Sequence, residues 1–430
     1  MAALLELACR KNQAAELYEE TFEEVALGFQ SNRLKSVDTS TGAGIGLRVI
    51  RNGHIGFASS SQGDNEKFLL DSAVAAAEYG QVCHSEFPHS APATQVECFD
   101  PEIPNVSTDQ MAEEGTRAIE QLVREVQGFQ CEAEIARTII TTHISNSRGL
   151  DVSYRKTVYS FGVYAFLGRE GDFLGVGDSL SACNYNQWAD YIATRIIERI
   201  KLSQKKATIE TGSYPAIFTP RAIPVILGPI RRGINGKMVQ KDISPLSSRL
   251  NEQIMDSSLT MTDSGILPYG RATSPVDGEG VPSRATPIIE KGVLRNFVLD
   301  TQTAALLGKE STANAIRDYD SVPSPGTTNL LLSPGNTSYE DMLADIGTGI
   351  VIDQVIGAGQ SNILMGEFSV NLDLGFKVEN GKVTGRLKNV MATGNAYDLL
   401  RSIRAIGNRQ EQAGTTYAPH LYLAKVNIAS

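Results

Sequence analysis

A long stretch of alternating apolar and polar residues, from Cys131 to about Tyr185, constrains the fold of this chain more than any other feature. It reads CEAEIARTIITTHISNSRGLDVSYRKTVYSFGVYAFLGREGDFLGVGDSLSACNY. A period of two places successive side chains on opposite faces of an extended strand. Turn residues at 147–149 and 170–171 divide the stretch, so it predicts consecutive antiparallel strands.

Helical and hairpin patterns surround this stretch. Apolar residues between Leu4 and Val25, including Ala15, Tyr18 and Phe22, recur at helical spacing and predict an amphipathic N-terminal helix over that whole range. Ser107 or Thr108 is the predicted N-cap of another helix. Further elements are predicted as follows: helices at 65–79, 108–127, 187–206 and within 396–407, hairpin turns at 52–53, 291–292 and 380–381, and a strand after residue 420.

The helical and strand patterns occur in separate blocks, which predicts the α+β class. A chain of 430 residues is long enough for two domains. We expect residues 1–210 to form an N-terminal domain of helices and an antiparallel sheet. Residues 211–430 are expected to form a mostly antiparallel β domain with few helices, and KKATIETGSYP is the expected connector.

Composition argues against several classes of partner. The net charge of −10 and the pI of about 5.2 disfavour nucleic acid, which is bound mainly through Lys and Arg. No apolar run reaches the length of a membrane span, and the N-terminal residues lack a signal-peptide pattern. The five cysteines are odd in number and form no CxxC pair, as expected for reduced thiols. We therefore expect a cytoplasmic protein without membrane association.

Two local features could carry chemistry. Cys131 and His143 could form a thiol–imidazole pair, although a free cysteine is more often a small buried apolar residue. Asp277 and Glu279 lie in the loop SPVDGEGVPSR, where the adjacent Gly278 and Gly280 would let the backbone approach a ligand or another chain closely. The same loop could instead be an acidic turn without function, and a hydrolase that uses any of these groups is the least favoured hypothesis.

Three segments in this order, GIGLRVIRNGHIGFASSS, DGEGVPSRATPIIEKGVLRNFVLDT and GNAYDLL, give the chain a family resemblance. From about residue 30 onwards it resembles the TldD/PmbA family, also called modulators of DNA gyrase. The resemblance implies two branches. TldD-like members are zinc metallopeptidases with an H-E-x-x-x-H helix and a C-terminal cysteine ligand, whereas TldE/PmbA members lack these residues and form a heterodimer with TldD that takes up extended peptides.

In this chain the segment VILGPIRRGING occupies the place of the metal-binding helix. The resemblance places Leu227 and Arg232 where the two histidines would be, and Gly228 where the glutamate would be. None of them can ligate zinc or act as a general base. The segment GTTYAPHLYL has no cysteine, and its histidine, His420, has no evident partner ligands. The resemblance therefore implies no cofactor in this chain, with zinc only in a TldD-like partner.

The prolines of this segment predict where its helix begins. Pro229 lacks an amide N–H, so we expect the helix to begin near Gly228, after an extended lead-in. Arg231 and Arg232 would then lie in the first turns, against the helix dipole, and would face an anionic partner.

The leading hypothesis from the sequence is a non-catalytic TldE/PmbA-like subunit of a heterodimeric zinc peptidase. Its expected contacts with peptide substrate or partner are Asp277, Gly278, Glu279, Gly280 and Arg231. The alternative is a stand-alone homodimeric binding or regulatory protein without peptidase activity.

Overall fold

The structure is a computed structural model that describes residues 2–61, 66–169, 171–357 and 361–430. The chain is α+β, as the separate helical and strand patterns predicted. The first half contains α1 (Ala2–Lys11), β1 (Ala14–Gln30), β2 (Arg33–Arg51), β3 (His54–Ser60), α2 (Glu66–Ala76), α3 (Thr108–Glu125), β4 (Gln130–Asn146), β5 (Asp151–Arg169), β6 (Asp172–Ala182) and α4 (Ala189–Ser203).

The second half is richer in short strands. Its elements are β7 (Lys206–Ala207), β8 (Gly212–Phe218), α5 (Ile223–Gly233), α6 (Gly236–Gln240), β9 (Met261–Ser264), β10 (Ala285–Glu290), β11 (Val293–Leu294), α7 (Thr301–Leu306), β12 (Ala315–Ile316), β13 (Ser324–Pro325), β14 (Asn329–Leu332), α8 (Tyr339–Ile346), β15 (Thr348–Ile356), β16 (Glu367–Glu379), β17 (Lys382–Leu387), β18 (Met391–Asn395), α9 (Ala396–Leu399), β19 (Ile403–Ile406), β20 (Glu411–Ala413), β21 (Thr416–Ala418) and β22 (Leu421–Ala429). Single 3₁₀ turns lie at Ile103–Asn105 and Ile363–Met365.

The alternating stretch forms β4, β5 and β6, as predicted, in a six-stranded antiparallel sheet of order β3-β2-β1-β4-β5-β6. Inward-facing residues of these strands, such as Ile135, Phe161 and Val176, are fully buried. They pack against α3 and α4, and burial of each large apolar side chain contributes about 1.5–3 kcal/mol. Of the two predicted caps of α3, Ser107 is the N-cap. It forms a capping box, because the Ser107 hydroxyl accepts from the Gln110 amide and the Gln110 side chain accepts from the Ser107 amide.

The predicted N-terminal helix to Val25 is wrong beyond Lys11. From Ala14 the chain is the strand β1, which pairs antiparallel with β2 along one edge and with β4 along the other. Phe22 belongs to the apolar stripe of the predicted helix but is 36% exposed, whereas Leu27 and Phe29 are buried on one face of the strand. Hydrogen bonding along both edges outweighs the local helical period.

A second sheet has the order β15-β8-β22-β18-β16-β17-β7, and β16 also pairs with β15, so its larger strands close into a barrel. A third, six-stranded sheet of order β11-β10-β9-β14-β21-β20 completes the second half. The hairpin turns at 52–53, 291–292 and 380–381 are confirmed, each with positive φ at both residues. The predicted strand after residue 420 is β22.

Two further predictions from the sequence need correction. The expected connector KKATIETGSYP contains β7 and the beginning of β8, which pair with β17 and with β15 and β22. The expected helix within 396–407 ends at Leu399, and the chain then forms β19. The division into domains of residues 1–210 and 211–430 stays a prediction, and apolar residues of both parts share one buried cluster around α3 and α4.

Candidate functional site

The helix α5 carries the positions that the family resemblance assigned to a metal site. It runs from Ile223 to Gly233, so the predicted start near Gly228 is wrong. Ile226, Leu227 and Ile230 are fully buried, and this packing outweighs the loss of about 3 kcal/mol that a proline inside a helix causes. The two arginines consequently lie in the last turn, where a cation is favourable to the helix dipole rather than opposed to it.

The three assigned positions do not converge on one point. Leu227 is fully buried in the apolar core, Gly228 is half-buried and Arg232 is exposed. A leucine, a glycine and an arginine offer no ligand to zinc, so the residues present do not fit the metal. Within the described ranges, no group of three or more His, Cys, Asp and Glu side chains is placed to hold a metal ion.

The neighbouring Arg231, an expected contact for substrate or partner, makes a contact within the chain that the sequence did not predict. Its Nη2 donates to Thr416 Oγ1 at 2.7 Å, which joins α5 to β21. Thr416 lies in GTTYAPHLYL, the segment in which the resemblance looks for a cysteine ligand. Burial lowers the pKa of Arg231, while the carboxylate of Asp263 acts in the opposite direction. A guanidinium therefore bridges the two segments that carry metal ligands in the TldD-like pattern.

The Asp277–Gly280 loop is stabilised by hydrogen bonds from backbone amides to the carboxylate of Asp277. Asp277 Oδ1 accepts from the amides of Glu279 at 2.9 Å and Val281 at 3.0 Å, and its Oδ2 accepts from the amide of Ala315 at 3.1 Å. Burial, with the nearby charge of Glu279, raises the pKa of Asp277 to about 7. Gly280 has φ +83, and a Cβ there would lie 2.3 Å from Leu150 Cδ2, so both backbone and space require glycine.

Glu279 is fully buried and joins the two halves of the chain. Its Oε1 accepts from Arg48 Nη1 at 2.9 Å, and its two oxygens also accept from the amide and hydroxyl of Thr301. Arg48 donates through Nη2 to Glu16 at 2.9 Å, and Glu16 accepts from Arg317 at 2.6 Å. Two glutamates and two arginines thus form a charge-balanced chain of buried ion pairs between β1, β2 and the second half.

Sequence reasoning missed Arg48, Glu16 and Arg317. Arg48 and Glu279 are 231 residues apart in the chain, and Glu16 and Arg317 are 301 residues apart. No local pattern connects residues at such separations. Glu279 itself is committed to internal partners, so its carboxylate is not available to a ligand in this conformation. Whether Asp277, Gly278, Gly280 or Arg231 meets a substrate or partner stays a prediction.

The alternative catalytic groups are separated by the structure. Cys131 and His143 lie on the same strand, β4, twelve residues or about 40 Å apart, so they cannot form a pair. Burial raises the pKa of Cys131 to about 11, which suits an inert thiol. Burial alone would lower the pKa of His143, but its hydrogen bonds to Asp151 at 2.8 Å and Glu19 at 2.7 Å outweigh this and raise it.

His420 is half-buried against the ring of Tyr339, with the ring centroids 4.7 Å apart. Burial lowers the pKa of His420, which favours the neutral imidazole. The ring lines a cavity of about 210 Å³ beside Arg195, Asp353 and Glu411. Arg195 and Glu411 are joined there by an ion pair at 2.6 Å, so this acidic side chain already has a counter-charge.

Comparison with known proteins identifies the family. The description "PmbA/TldA metallopeptidase C-terminal domain" matches residues 211–430, "domain 1" of the same family matches residues 15–78, and its "central domain" matches residues 101–203. The chain belongs to the PmbA/TldD metallopeptidase family. The resemblance drawn from the sequence is thereby confirmed at the level of the family.

Individual PmbA/TldD relatives are distant in sequence but similar over the whole chain. An uncharacterized protein of Methanocaldococcus jannaschii is 26% identical over 92% of both chains. "Metalloprotease PmbA" of Escherichia coli O157:H7 is 26% identical over 100% of this chain and 95% of its own length. The crystal structure of TldE from Thermococcus kodakarensis has a TM-score of 0.93 at 23% identity and covers 100% of both chains, which shows the fold.

A Thermotoga maritima protein whose name refers to modulation of a DNA gyrase has the same fold, with a TM-score of 0.90 at 24% identity over 100% of this chain and 99% of its own. Among the described residues of this PmbA/TldD chain, no helix combines the length and the apolar character needed to cross a bilayer.

Proposed function

We propose that this chain is the non-catalytic, TldE/PmbA-like subunit of a TldD/TldE-type metallopeptidase complex that processes unfolded peptides. The observation that carries the proposal is the hydrogen bond from Arg231 to Thr416 between α5 and β21. In an active member, a metal ion would join these two segments. In this chain the guanidinium of Arg231 makes the connection. A metal cation beside it is disfavoured by charge repulsion.

The partner in this proposal is a TldD-like subunit that carries the zinc, and the assembly is a heterodimer. Relatives named "Metalloprotease TldD homolog" and "Metalloprotease PmbA" both match this chain, which supports two related kinds of subunit. All five cysteines are free thiols, which agrees with the reducing cytoplasm as the proposed location. The edge of the Asp277–Gly280 loop is proposed to lie near the substrate, with its carboxylates bracing the loop.

The test combines metal analysis with reconstitution. The isolated chain is expected to hold far less than one zinc per molecule and to leave an unstructured, casein-like peptide uncut. Addition of the H-E-x-x-x-H relative from the same host is expected to give zinc-dependent cleavage that increases with this chain up to an equimolar ratio. The matched control is the same partner with the motif glutamate replaced by glutamine, which should bind this chain without cleaving the peptide.

One result would refute the subunit proposal outright: about one zinc per isolated chain together with chelator-sensitive peptidase activity. Native mass spectrometry addresses the alternative. A homodimer that excludes the partner, with no cleavage in the mixture, would replace the proposed heterodimer by a stand-alone binding protein.

A further inference from the structure

A small cleft lies where the first sheet meets the second half of the chain. Its volume is about 220 Å³. One wall consists of side chains from three neighbouring strands, β1, β4 and β5, and the other consists of Ser283 and residues within the segments 272–278, 313–317 and 327–328. Ile316 at its rim is 47% exposed, so the cleft opens to solvent there. The volume is below the roughly 300–1,000 Å³ of sites for drug-sized molecules, which indicates a smaller ligand.

The strand register fixes the arrangement of charge on the sheet wall. Glu20 is paired with Thr142, and Thr142 is paired with Tyr154, so these three side chains form one row across β1, β4 and β5. Lys156 lies in the next row of the same face, opposite Ile140. Adjacent strands are about 4.8 Å apart, and the Cα atoms of residues two positions apart along a strand are separated by about 7 Å. The Cα atoms of Glu20 and Lys156 are thus about 12 Å apart, and their charged ends point into one cleft.

Lys156 has no hydrogen bond or ion pair to any residue of the described chain, although it lines the cleft. The Lys156 side chain is partly buried; burial lowers the pKa of Lys156, and the charge of Glu20 acts in the opposite direction. The other cation of the cleft, Arg317, is already paired with Glu16 at 2.6 Å. Among the cleft residues, Lys156 is therefore the cation without an ion pair, whereas Arg317 has its counter-charge but keeps Nε and Nη2 without hydrogen-bond partners.

Glu20 is the negative counterpart. It accepts one hydrogen bond, from the Tyr18 hydroxyl at 3.1 Å, and forms no ion pair with Lys156 or another described residue. Burial raises the pKa of Glu20, and Asp318 and Asp320 act in the same direction, whereas the hydrogen bond from Tyr18 and the charge of Lys156 act against it. A carboxylate offers about four acceptor positions, so most of those on Glu20 are unused. The acid on the facing wall, Asp277, already accepts from three amides.

The facing wall adds little free charge and much apolar surface. The hydroxyls of Ser274 and Thr328 donate to Val276 O and Asp263 Oδ2 respectively. Val276 and Ile316, with Ile140 from the sheet, add apolar surface to the cleft. A ligand that fits must therefore be small, must present one negative and one positive group, and can carry a short apolar side chain.

We propose that this cleft binds a small zwitterion, a free α-amino acid or a dipeptide, with its carboxylate on Lys156 and its ammonium group on Glu20. A simple anion would pair with Lys156 but would be repelled by Glu20, and a simple cation would have the reverse problem. A zwitterion satisfies both groups, and an extended dipeptide spans about 7 Å, which suits charges held on different strands. The proposal does not depend on the subunit role, because it uses neither zinc nor a partner chain.

Isothermal titration calorimetry of the full-length chain at pH 7.5 tests the proposal, with L-alanine, alanyl-alanine, N-acetyl-alanine and alaninamide as probes. At least one of the two zwitterions is expected to bind with a Kd at or below the millimolar range. The acetylated and amidated forms should each bind at least ten times more weakly. This comparison uses only the wild-type chain, so it stays decisive even if a variant fails to fold.

Two substitutions test which residue binds which charged group of the ligand. Lys156→Met should weaken zwitterion binding at least tenfold and abolish the preference for alanine over alaninamide. Glu20→Gln should weaken it similarly and abolish the preference for alanine over N-acetyl-alanine. Lys382→Met is the matched control, because Lys382 is exposed on β17 and should leave binding unchanged. Absence of zwitterion binding at tens of millimolar, or equal binding of a blocked form by the wild-type chain, would overturn the proposal.

Discussion

The buried ion-pair chain gives the sharpest prediction about stability. Arg48 is 6% exposed and holds two glutamates, Glu16 and Glu279, each at 2.9 Å. Arg48→Met replaces the guanidinium by an apolar side chain and leaves the four-residue network with one uncompensated negative charge. Glu16 keeps Arg317 as a partner, so the unbalanced carboxylate is mainly that of Glu279, which retains only the Thr301 amide and hydroxyl.

Removal of one partner from a buried pair typically costs about 3–5 kcal/mol. The hydrogen bonds from Thr301 to Glu279 offset part of this, so we expect the lower end of that range, about 3 kcal/mol. The assay is urea unfolding followed by circular dichroism, with the midpoints compared at equal slope. Arg51→Met is the matched control, since Arg51 lies on the same strand without an ion pair to the described residues and should change stability by less than about 0.5 kcal/mol.

A double-mutant cycle isolates the pair itself. Glu279→Gln combined with Arg48→Met should be less destabilising than the sum of the two single changes. The neutral glutamine leaves no buried, unpaired charge when Arg48 is removed. A coupling of about 1–3 kcal/mol is expected for groups in direct contact. If Arg48→Met were no more destabilising than Arg51→Met, or if the effects of Arg48→Met and Glu279→Gln were simply additive, the ion-pair network would not stabilise the fold.

Three other changes test separate parts of the structure. Asp277 has a folded-state pKa of about 7 against about 3.9 when unfolded, so its contribution to stability is complete below about pH 4 and is lost as pH rises through 7. The free energy of unfolding of the wild type relative to Asp277→Asn, measured with urea, should therefore fall from pH 5 to pH 8 by at most about 1.4 kcal/mol per pH unit. A difference that stays constant contradicts the assignment. In thermal unfolding, Gly280→Ala should be about 1–3 kcal/mol more destabilising than Gly149→Ala. Both glycines have φ +83, but only at Gly280 would a Cβ lie against Leu150. Equal losses would mean that backbone strain alone matters. Ser107→Ala should lower the free energy of unfolding by about 1 kcal/mol, because it removes the capping box of α3. Thr108→Ala at the next position should lower it less. The reverse order would indicate that Thr108 is the cap.

Local signals in the sequence predicted the elements that depend on local chemistry. The hairpins at Asn52–Gly53 and Asn380–Gly381 follow from the need for positive φ at both turn positions, which neighbouring residues scarcely influence. The sequence predicted a cap at Ser107 or Thr108 because both residue types favour that position, and the structure shows that Ser107 is the cap. The alternation from Cys131 onwards was long enough that no helical period competes with it.

Predictions failed where distant contacts decide the outcome. The segment from Ala14 to Val25 fits a helical stripe, yet β2 and β4 hydrogen-bond to both of its edges. Pro229 was expected to delay the start of a helix, but buried neighbours such as Leu227 and Ile230 hold α5 through it. In the candidate site, the absence of ligands at Leu227 and Arg232 could be deduced from the family pattern, whereas the contact of Arg231 with Thr416 spans 185 residues and no local pattern indicates it.

The position of β22 has a consequence for the order in which the chain acquires its structure during synthesis. This strand lies between β8 and β18, and it is reached about 240 residues after β6 completes the first sheet, from Ala182 to Leu421. At translation rates of about 5–20 residues per second, the interval is roughly 12–48 s. For most of that time the barrel lacks a central strand. Until Glu279 emerges, Arg48 on the first sheet also lacks one of its two carboxylate partners, so the nascent chain presents an incomplete, aggregation-prone surface to the ribosome exit and to chaperones.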